Sequence, residues 1–215
     1  MKPALHNRFL VLACSLLLLA MSNASVAQPP NVLFLLSDDH SYPFLSCYDD
    51  PNVKTPNLDA LARRGVRFHR FFTSAPQCVL SRTALMTGKS PVAARMIRFS
   101  SPLPKDEITL PELLRQHANY YTGICGRSYH LDGSNRVPAA VQRVYEDHDM
   151  RTFERRVDYL RKGADAQVVE QVAEFLDARP ANRPFFMWAN YSDPHHVWNA
   201  DAKYRPDPST LKLPA

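Results

Sequence analysis

Asn31-Val-Leu-Phe-Leu-Leu36 is a continuous apolar run, and Ser37-Asp38-Asp39-His40 follows it directly. A run of this kind with turn-forming residues after it predicts a strand that is buried on both faces of an α/β sheet. Ligands bind at the carboxyl ends of strands in such sheets. The adjacent carboxylates of Asp38 and Asp39 therefore favour a hard cation such as Ca²⁺ or Mg²⁺. A turn that caps the next segment fits the same two residues equally well.

Two further apolar runs also end in polar residues. Tyr120-Tyr-Thr-Gly-Ile-Cys-Gly126 predicts a buried strand that leads to Arg127 and His130, and Arg183-Pro-Phe-Phe-Met-Trp-Ala-Asn190 predicts another that leads to Asp193-Pro-His-His196. Imidazole titrates near neutrality and guanidinium stays charged, so these side chains are candidates for proton transfer and anion binding. Three strand ends of this type at one sheet edge predict a functional site.

The segments between these strands are predicted mainly as scaffold. Helices are predicted over Thr55–Gly65, Thr109–Ala118 and Asp165–Ala178, from capping residues and helical spacing of apolar residues. Val66–Thr73 has the β-branched and aromatic content of a strand. Residues 134–164 are charged and irregular, which indicates a solvated face or, alternatively, a basic rim that steers an anionic sugar.

A thiol, a hydroxyl and a guanidinium are concentrated in Ser74-Ala-Pro-Gln-Cys-Val-Leu-Ser-Arg-Thr-Ala-Leu-Met-Thr-Gly88. Ser81–Met86 is predicted to open a helix, which places Cys78 in the loop that enters its N-terminus. Unpaired backbone N–H groups there favour a thiolate or a bound sulfate or phosphate. Arg82, one turn after Cys78, adds positive charge. The alternative for Cys78 is a small buried apolar side chain.

Cys78-x-x-Ser81-Arg82 resembles the signature of the type I, formylglycine-dependent sulfatases, and Leu80 stands where that family has Pro or Ala. The strand ending in Asp-Asp and the run Thr55-Pro-Asn-Leu-Asp-x-Leu-Ala-x-x-Gly65 follow the order of the same family. The Pro-Phe-Phe strand with its Asp-Pro-His looks closest to the heparan N-sulfatase (sulfamidase) branch.

The resemblance implies an α/β fold, the alkaline-phosphatase-like three-layer sandwich with a mixed, mostly parallel sheet. Residues 28–215 are then the N-terminal portion of a catalytic domain that is incomplete at its C-terminal end, because no Ser-Asp-Asn-Gly run, which completes the metal site in the family, follows His196. For this reason we expect little or no activity from the 215 residues alone.

The resemblance also implies a mechanism and a set of site residues. A formylglycine made from Cys78 attacks sulfur, a Ca²⁺ ion acts as Lewis acid, and histidines transfer protons. The expected metal ligands are Asp38, Asp39 and Cys78. The expected catalytic residues are Cys78, Arg82, His130 and His195. The expected substrate-binding residues are Arg127, His195 and His196.

Three functions are left open by these residues. The first is hydrolysis of a sulfuric ester or sulfamate in a sulfated sugar or another small sulfate ester. The second is a phosphodiesterase or phosphonate hydrolase of the alkaline phosphatase superfamily. The third is a non-catalytic, anion-binding remnant, for which Leu80 and the missing C-terminal run are the reasons. The first reading requires a formylglycine-generating enzyme or an anaerobic sulfatase-maturing enzyme as a partner.

Residues 1–27 are predicted to be a secretory signal peptide. Lys2 and Arg8 precede an apolar run over Phe9–Met21, and Ser25-Val-Ala27 has the small residues of a cleavage site. The run is shorter than the roughly 20 residues of a membrane-spanning helix, so stable membrane insertion is not expected. The protein is expected to be exported, either periplasmic or extracellular, or lysosomal or secreted in a eukaryote.

Charge and cysteine content limit the partners. The net charge of +5 falls to +3 without Lys2 and Arg8, which implies no nucleic-acid partner. Three cysteines, Cys47, Cys78 and Cys125, follow the predicted signal peptide, and an odd number leaves one of them unpaired or modified. Cys47 and Cys125 could pair or stay free.

Overall fold

The computed structural model describes residues 28–127, 130–196 and 207–212. The chain divides into two units, Met1–Pro30 and Asn31–Ala215. In the first unit, residues 28–30 have no regular secondary structure, and the predicted signal peptide over residues 1–27 lies outside the described residues. All elements below belong to the second unit.

Four strands form one sheet in the order β1-β4-β2-β3, namely β1 (Val32–Ser37), β2 (Tyr121–Gly126), β3 (Tyr159–Leu160) and β4 (Phe185–Tyr191). Leu35 of β1 and Cys125 of β2 both pair with Ala189 of β4. Every registered strand pair in the described residues is parallel. The predicted α/β class is confirmed, while the antiparallel strand of a mixed sheet is not among these residues.

Helices pack on both faces of the sheet. They are α1 (Pro56–Arg64), α2 (Cys78–Thr87), α3 (Leu110–Ala118), α4 (Ala139–Asp147) and α5 (Val168–Ala178). Short 3₁₀ turns lie at Ser46–Tyr48, Phe153–Arg156, Asp165–Gln167 and Pro208–Thr210. Because successive strand side chains point to opposite faces, Trp188 packs in one core with Val79 of α2, and Met187 packs in the other with Phe175 of α5. The arrangement therefore has three layers.

The first strand differs from the prediction of burial on both faces. Phe34 and Leu36 pack against the core, but Leu33 and Leu35 are 49% and 50% exposed. β1 is the terminal strand of the sheet, and α5 packs against β2 and β4 on the side that Leu33 and Leu35 face. One side of β1 is therefore left uncovered within the described residues.

Two other predictions about local structure were wrong. Val66–Thr73 is irregular rather than a strand, and Val66 and Phe72 are 79% and 83% exposed, since no strand of the described chain pairs with the segment. Residues 134–164 are not irregular throughout, because they contain α4, one 3₁₀ turn and β3. Tyr145 supplies α4 with a buried contact among its many charged residues.

Two further features bear on the expectations from sequence. No helix in the described ranges is long and apolar enough to cross a membrane. Cys47, Cys78 and Cys125 are all free thiols, so the pairing of Cys47 with Cys125 is not formed.

Candidate active site

The carboxyl ends of β1, β2 and β4 bring the predicted polar residues to one edge of the sheet. Asp38 and Asp39 follow β1, Arg127 and His130 follow β2, and the loop with His195 follows β4. This convergence follows from the parallel order of the strands, because parallel strands end at the same edge. Cys78 joins them from the first turn of α2.

Cys78 is the first residue of α2, so the helix begins three residues earlier than predicted. Gln77 precedes it in an extended conformation, and its side chain makes no capping hydrogen bond. The first backbone N–H groups of a helix have no intrahelical acceptor and carry the positive end of the helix dipole. Cys78 therefore lies where an anion is stabilised, in a cleft of about 540 Å³ that Asp38, Asp39 and Arg82 also line.

Arg82 is buried, with 2% of its surface exposed, and is fixed on three sides. Its Nη1 donates to Asn190 Oδ1 over 2.6 Å, and its Nη2 lies 3.4 Å from Asp38 Oδ2. Its guanidinium carbon is 5.5 Å from the centre of the Trp188 ring. Burial lowers the pKa of Arg82, and Cys78 and Asp39 act in the opposite direction. Arginine remains charged under these conditions, so Arg82 is a fixed positive group beside Cys78.

Asp38 is the buried carboxylate at the centre of the site. Arg82 contacts its Oδ2, and the guanidinium of Arg127 contacts the same oxygen. Burial lowers the pKa of Arg127, and Asp165 acts against this effect. Both guanidinium groups thus lie at the carboxylate of Asp38, and their positive charge favours an incoming anion.

His130 is a neutral base next to Cys78 and Asp38. The ligand atoms of these three residues lie within 4.8 Å of one another. Burial lowers the pKa of His130 to about 4, and the charges of Arg82, Arg127 and His195 add to the effect. The ring is therefore uncharged at neutral pH and can accept a proton.

Asp39 lies with His195 and His196 in a second group, again within 4.8 Å. His195 Nε2 is 3.6 Å from Asp39 Oδ2, and the two imidazole rings stack with centres 4.5 Å apart. Nδ1 of His195 contacts the backbone oxygen of His196. The predicted metal ligands are thus divided, since Asp38 lies with Cys78 and Asp39 lies with the histidines.

Two positioning residues were not singled out from the sequence. Asn190 accepts from Arg82 and donates to the Cys125 backbone oxygen over 3.3 Å, so it joins α2 to β2 and β4. Asp165 accepts the backbone N–H groups of Ser192 and Asp193 over 2.7 and 2.9 Å. That contact holds the loop that carries His195. The position of Asn190 at the end of an apolar strand could have indicated its role from the sequence. Nothing local distinguishes Asp165 from an ordinary residue at the start of a helix.

The donor atoms fit part of a calcium site. Asp38 and Asp39 offer hard carboxylate oxygens in one cleft, and Ca²⁺ takes six to eight oxygen ligands. The sulfur and nitrogen donors of Cys78 and His130 suit other metals better. The two aspartates are therefore the residues that would hold Ca²⁺, together with oxygen ligands from elsewhere.

The chain matches a protein-family model and several curated proteins. A family model described as Sulfatase matches residues 30–212. Human arylsulfatase A is 40% identical over 123 residues, which are 54% of this chain and 24% of that protein. The chain spans less than half of the length of such curated relatives.

Two solved structures share the fold. One, described as in complex with its substrate D-glucosamine-2-N,6-O-disulfate, has a TM-score of 0.64 at 25% identity and covers 79% of this chain and 35% of its own. A phosphonate monoester hydrolase from Silicibacter pomeroyi also has a TM-score of 0.64, at 22% identity, over 87% of this chain and 46% of its own. The closeness to the heparan N-sulfatase branch stays a prediction.

Proposed function

Since the chain belongs to the sulfatase family, we propose that it supplies the nucleophile-bearing part of a hydrolase that cleaves sulfate esters or sulfamates of carbohydrates. The observation that carries the proposal is the position of Cys78 at the start of α2, beside Asp38 and His130 and facing the fixed guanidinium of Arg82. A sulfated sugar as the substrate is supported by the disulfated glucosamine in the related solved structure.

Residue 78 is the proposed nucleophile. Converted to formylglycine, it would supply an aldehyde hydrate that attacks sulfur. The N-terminus of α2 and the Arg82 guanidinium, whose pKa reflects the proximity of Cys78, stabilise negative charge at this position. Leu80 packs against the core, so the residue that departs from the family signature has a structural role here.

Arg82 orients the nucleophile and offsets its charge, and Arg127 binds the sulfate group. Both contact Asp38, and Asn190 fixes Arg82 from the other side. A bound Ca²⁺, held by Asp38 and Asp39, would add Lewis-acid stabilisation of the sulfate oxygens. Prepositioned charge of this kind acts on the transition state without reorganisation.

His130 and His195 are the proposed proton-transfer residues. His130 is neutral at pH 7 and lies next to residue 78, so it accepts the proton of the second hydroxyl when sulfate leaves. His195 lies beside Asp39 and forms one group with Asp39 and His196. We assign to it protonation of the departing oxygen or nitrogen, and to His196 a contact with the substrate.

Export and maturation complete the proposal. The sequence of residues 1–27 predicts a signal peptide, and an exported chain meets its calcium outside the cytoplasm. Conversion of Cys78 requires a formylglycine-generating enzyme or an anaerobic maturing enzyme.

The test is the mass of the peptide that contains residue 78, in full-length protein exported by its own host, combined with an aryl sulfate assay. We expect the formylglycine mass and turnover, and we expect the 215 residues alone to be inactive. An unmodified cysteine in an exported protein that hydrolyses no sulfate would support the anion-binding remnant instead.

Phosphonate or phosphodiester hydrolysis is the second candidate. The Silicibacter pomeroyi hydrolase shares the fold at a TM-score of 0.64. Faster turnover of an aryl phosphonate or phosphodiester than of the matching aryl sulfate would favour it.

A further inference from the structure

We propose that a second cleft, next to the sulfate site, binds a further acidic group of the sugar, either a carboxylate or a second sulfate. The inference rests on the proposed function for the identity of the ligand as a sulfated sugar. The cleft has a volume of about 870 Å³, and its lining includes Arg127, His130, His195 and His196 together with Arg136, Arg151 and Lys162.

The size of this cleft exceeds what one sulfate group needs. Pockets of roughly 300 to 1,000 Å³ enclose ligands of the size of one or two sugar rings. Because Arg127 and His130 also belong to the sulfate site, a sugar whose sulfate contacts them extends into this cleft. The rest of the lining, which includes Arg136 and Arg151, therefore contacts the part of the sugar that does not react.

The charge of the lining favours an acidic group. Four cationic side chains line the cleft and two carboxylates, those of Asp132 and Glu154, oppose them. Asp132 Oδ1 accepts the backbone N–H of Phe153 over 3.0 Å. Within the described residues, no carboxylate lies within 4.0 Å of the guanidinium of Arg136 or Arg151.

Arg151 is the residue that carries the inference. Its Nε and Nη2 atoms are buried and form no hydrogen bond within the described part of the chain, so the protein does not neutralise the charge of this cleft-lining side chain. Burial of an uncompensated charge is costly, and a negative group in the cleft offsets that cost through its charge. A binding role explains why the side chain stays there.

The side chain of Arg151 is also held in place. Its guanidinium carbon lies 5.6 Å from the centre of the Tyr145 ring. Tyr145 is buried and donates its hydroxyl to the Ser100 backbone oxygen over 2.9 Å. A cation fixed over an aromatic ring loses little freedom when it binds an anion.

The experiment measures binding rather than turnover, by calorimetry on full-length protein with Cys78→Ala, so that ligands are not consumed. Three ligands are compared: a monosulfated sugar, the same sugar with a second sulfate, and the same sugar with a carboxylate. Arg151→Gln is the variant. Arg155→Gln is the control, since Arg155 is exposed, pairs with Asp149 and does not line the cleft.

Arg151→Gln is expected to weaken binding of at least one doubly acidic sugar by about 10- to 100-fold, with the monosulfated sugar and the Arg155→Gln variant unchanged. The doubly acidic sugar with the larger loss identifies the acidic group. Arg136→Gln, an exposed substitution with little effect on folding, is expected to give a smaller loss for that same sugar.

Equal weakening of all three ligands, or no effect of Arg151→Gln, would overturn the inference. Because binding is the readout, a dependence on Arg151 in a protein without sulfatase activity would retain the second site and reject the proposed function. Turnover of a sulfated sugar, with binding that does not depend on Arg151, would retain the proposed function and reject the second site.

Discussion

Arg82 Nη1 donates to Asn190 Oδ1 over 2.6 Å, and this bond joins the helix that begins with Cys78 to the end of the central strand β4. Both residues are buried. The orientation of the proposed nucleophile thus depends on a contact between two segments that are far apart in the sequence.

Asn190→Ala tests this bond. The substitution leaves the buried Arg82 with one acceptor fewer, which we expect to lower the free energy of unfolding by about 1.5 to 3 kcal/mol. Urea denaturation gives the value. Asn57→Ala, at an exposed position of α1, is the control and should change the value by less than about 0.5 kcal/mol. Equal effects of the two substitutions would contradict the role of Asn190.

Arg156 and Arg155 are neighbours in the sequence, but we expect their substitution to lower the unfolding free energy by very different amounts. Arg156 is buried and donates to Glu112 Oε2 and to the Pro104 backbone oxygen over 3.2 and 3.0 Å. Arg156→Ala leaves these partners unpaired, so we expect a loss of about 3 to 5 kcal/mol in unfolding free energy. Arg155→Ala breaks an exposed pair and should change the unfolding free energy far less. A thermal or urea unfolding series that ranks the two variants in the other order would refute the assignment.

Gly126 requires its small size. Its φ is +81°, and a Cβ atom there would lie 2.0 Å from the backbone oxygen of Asn190. Gly126→Ala should therefore separate β2 from β4 and prevent stable folding. Gly88→Ala is the matched control, because Gly88 also has a positive φ but no atom within 4 Å of the added Cβ, and its cost should stay near about 1 to 2 kcal/mol. Circular dichroism and denaturation of both variants separate crowding from backbone strain.

The three thiols should differ in reactivity. Burial raises the pKa of Cys125 to about 12, so almost no thiolate forms at about pH 8, while Cys47 and Cys78 are partly exposed. In protein made without the maturing enzyme, iodoacetamide should label Cys47 and Cys78 and spare Cys125. Labelling of Cys125 in the folded protein, seen by peptide mapping, would contradict its burial.

His130 should make stability depend on pH. Its pKa is about 4 when folded and about 6.5 when unfolded. Between these two pH values the unfolded chain binds a proton that the folded chain does not bind. The contribution of His130 to the unfolding free energy, which is present above pH 6.5, is therefore lost as the pH falls toward 4. His130→Gln removes this contribution. The difference in unfolding free energy between wild type and variant should shrink from pH 7 to pH 4, and a constant difference would exclude this cause.

The sequence predicted the interior of the sheet better than its edge. The sequence correctly predicted β2 and β4 as buried strands, because both of their faces are covered. The start of α3 was also predicted, and there Thr109 and Glu112 form a capping box. Leu33 looked equally buried, but whether an apolar strand lies inside a sheet or at its edge depends on contacts made elsewhere in the chain. The prediction of a strand over Val66–Thr73 was wrong for the same reason, because a strand forms only where a neighbouring strand pairs with it.

The residues predicted for the candidate site meet at one edge of the sheet, but their contacts with one another could not be predicted from the sequence. Parallel strand order accounts for the meeting of Asp38, Arg127 and His130. The bond between Arg82 and Asn190 spans distant parts of the sequence, and no local pattern indicates it. The role of Arg151 depends on which groups fail to approach it, and that is a property of the folded chain alone.

The open side of β1 has a consequence for handling the protein. Leu33 and Leu35 form an apolar strip beside an edge with no neighbouring strand in the described residues. Such edges recruit strands from other molecules and start aggregation. The 215 residues on their own should thus show concentration-dependent scattering and sediment as oligomers, and charged residues such as Lys at positions 33 and 35 should keep them dispersed.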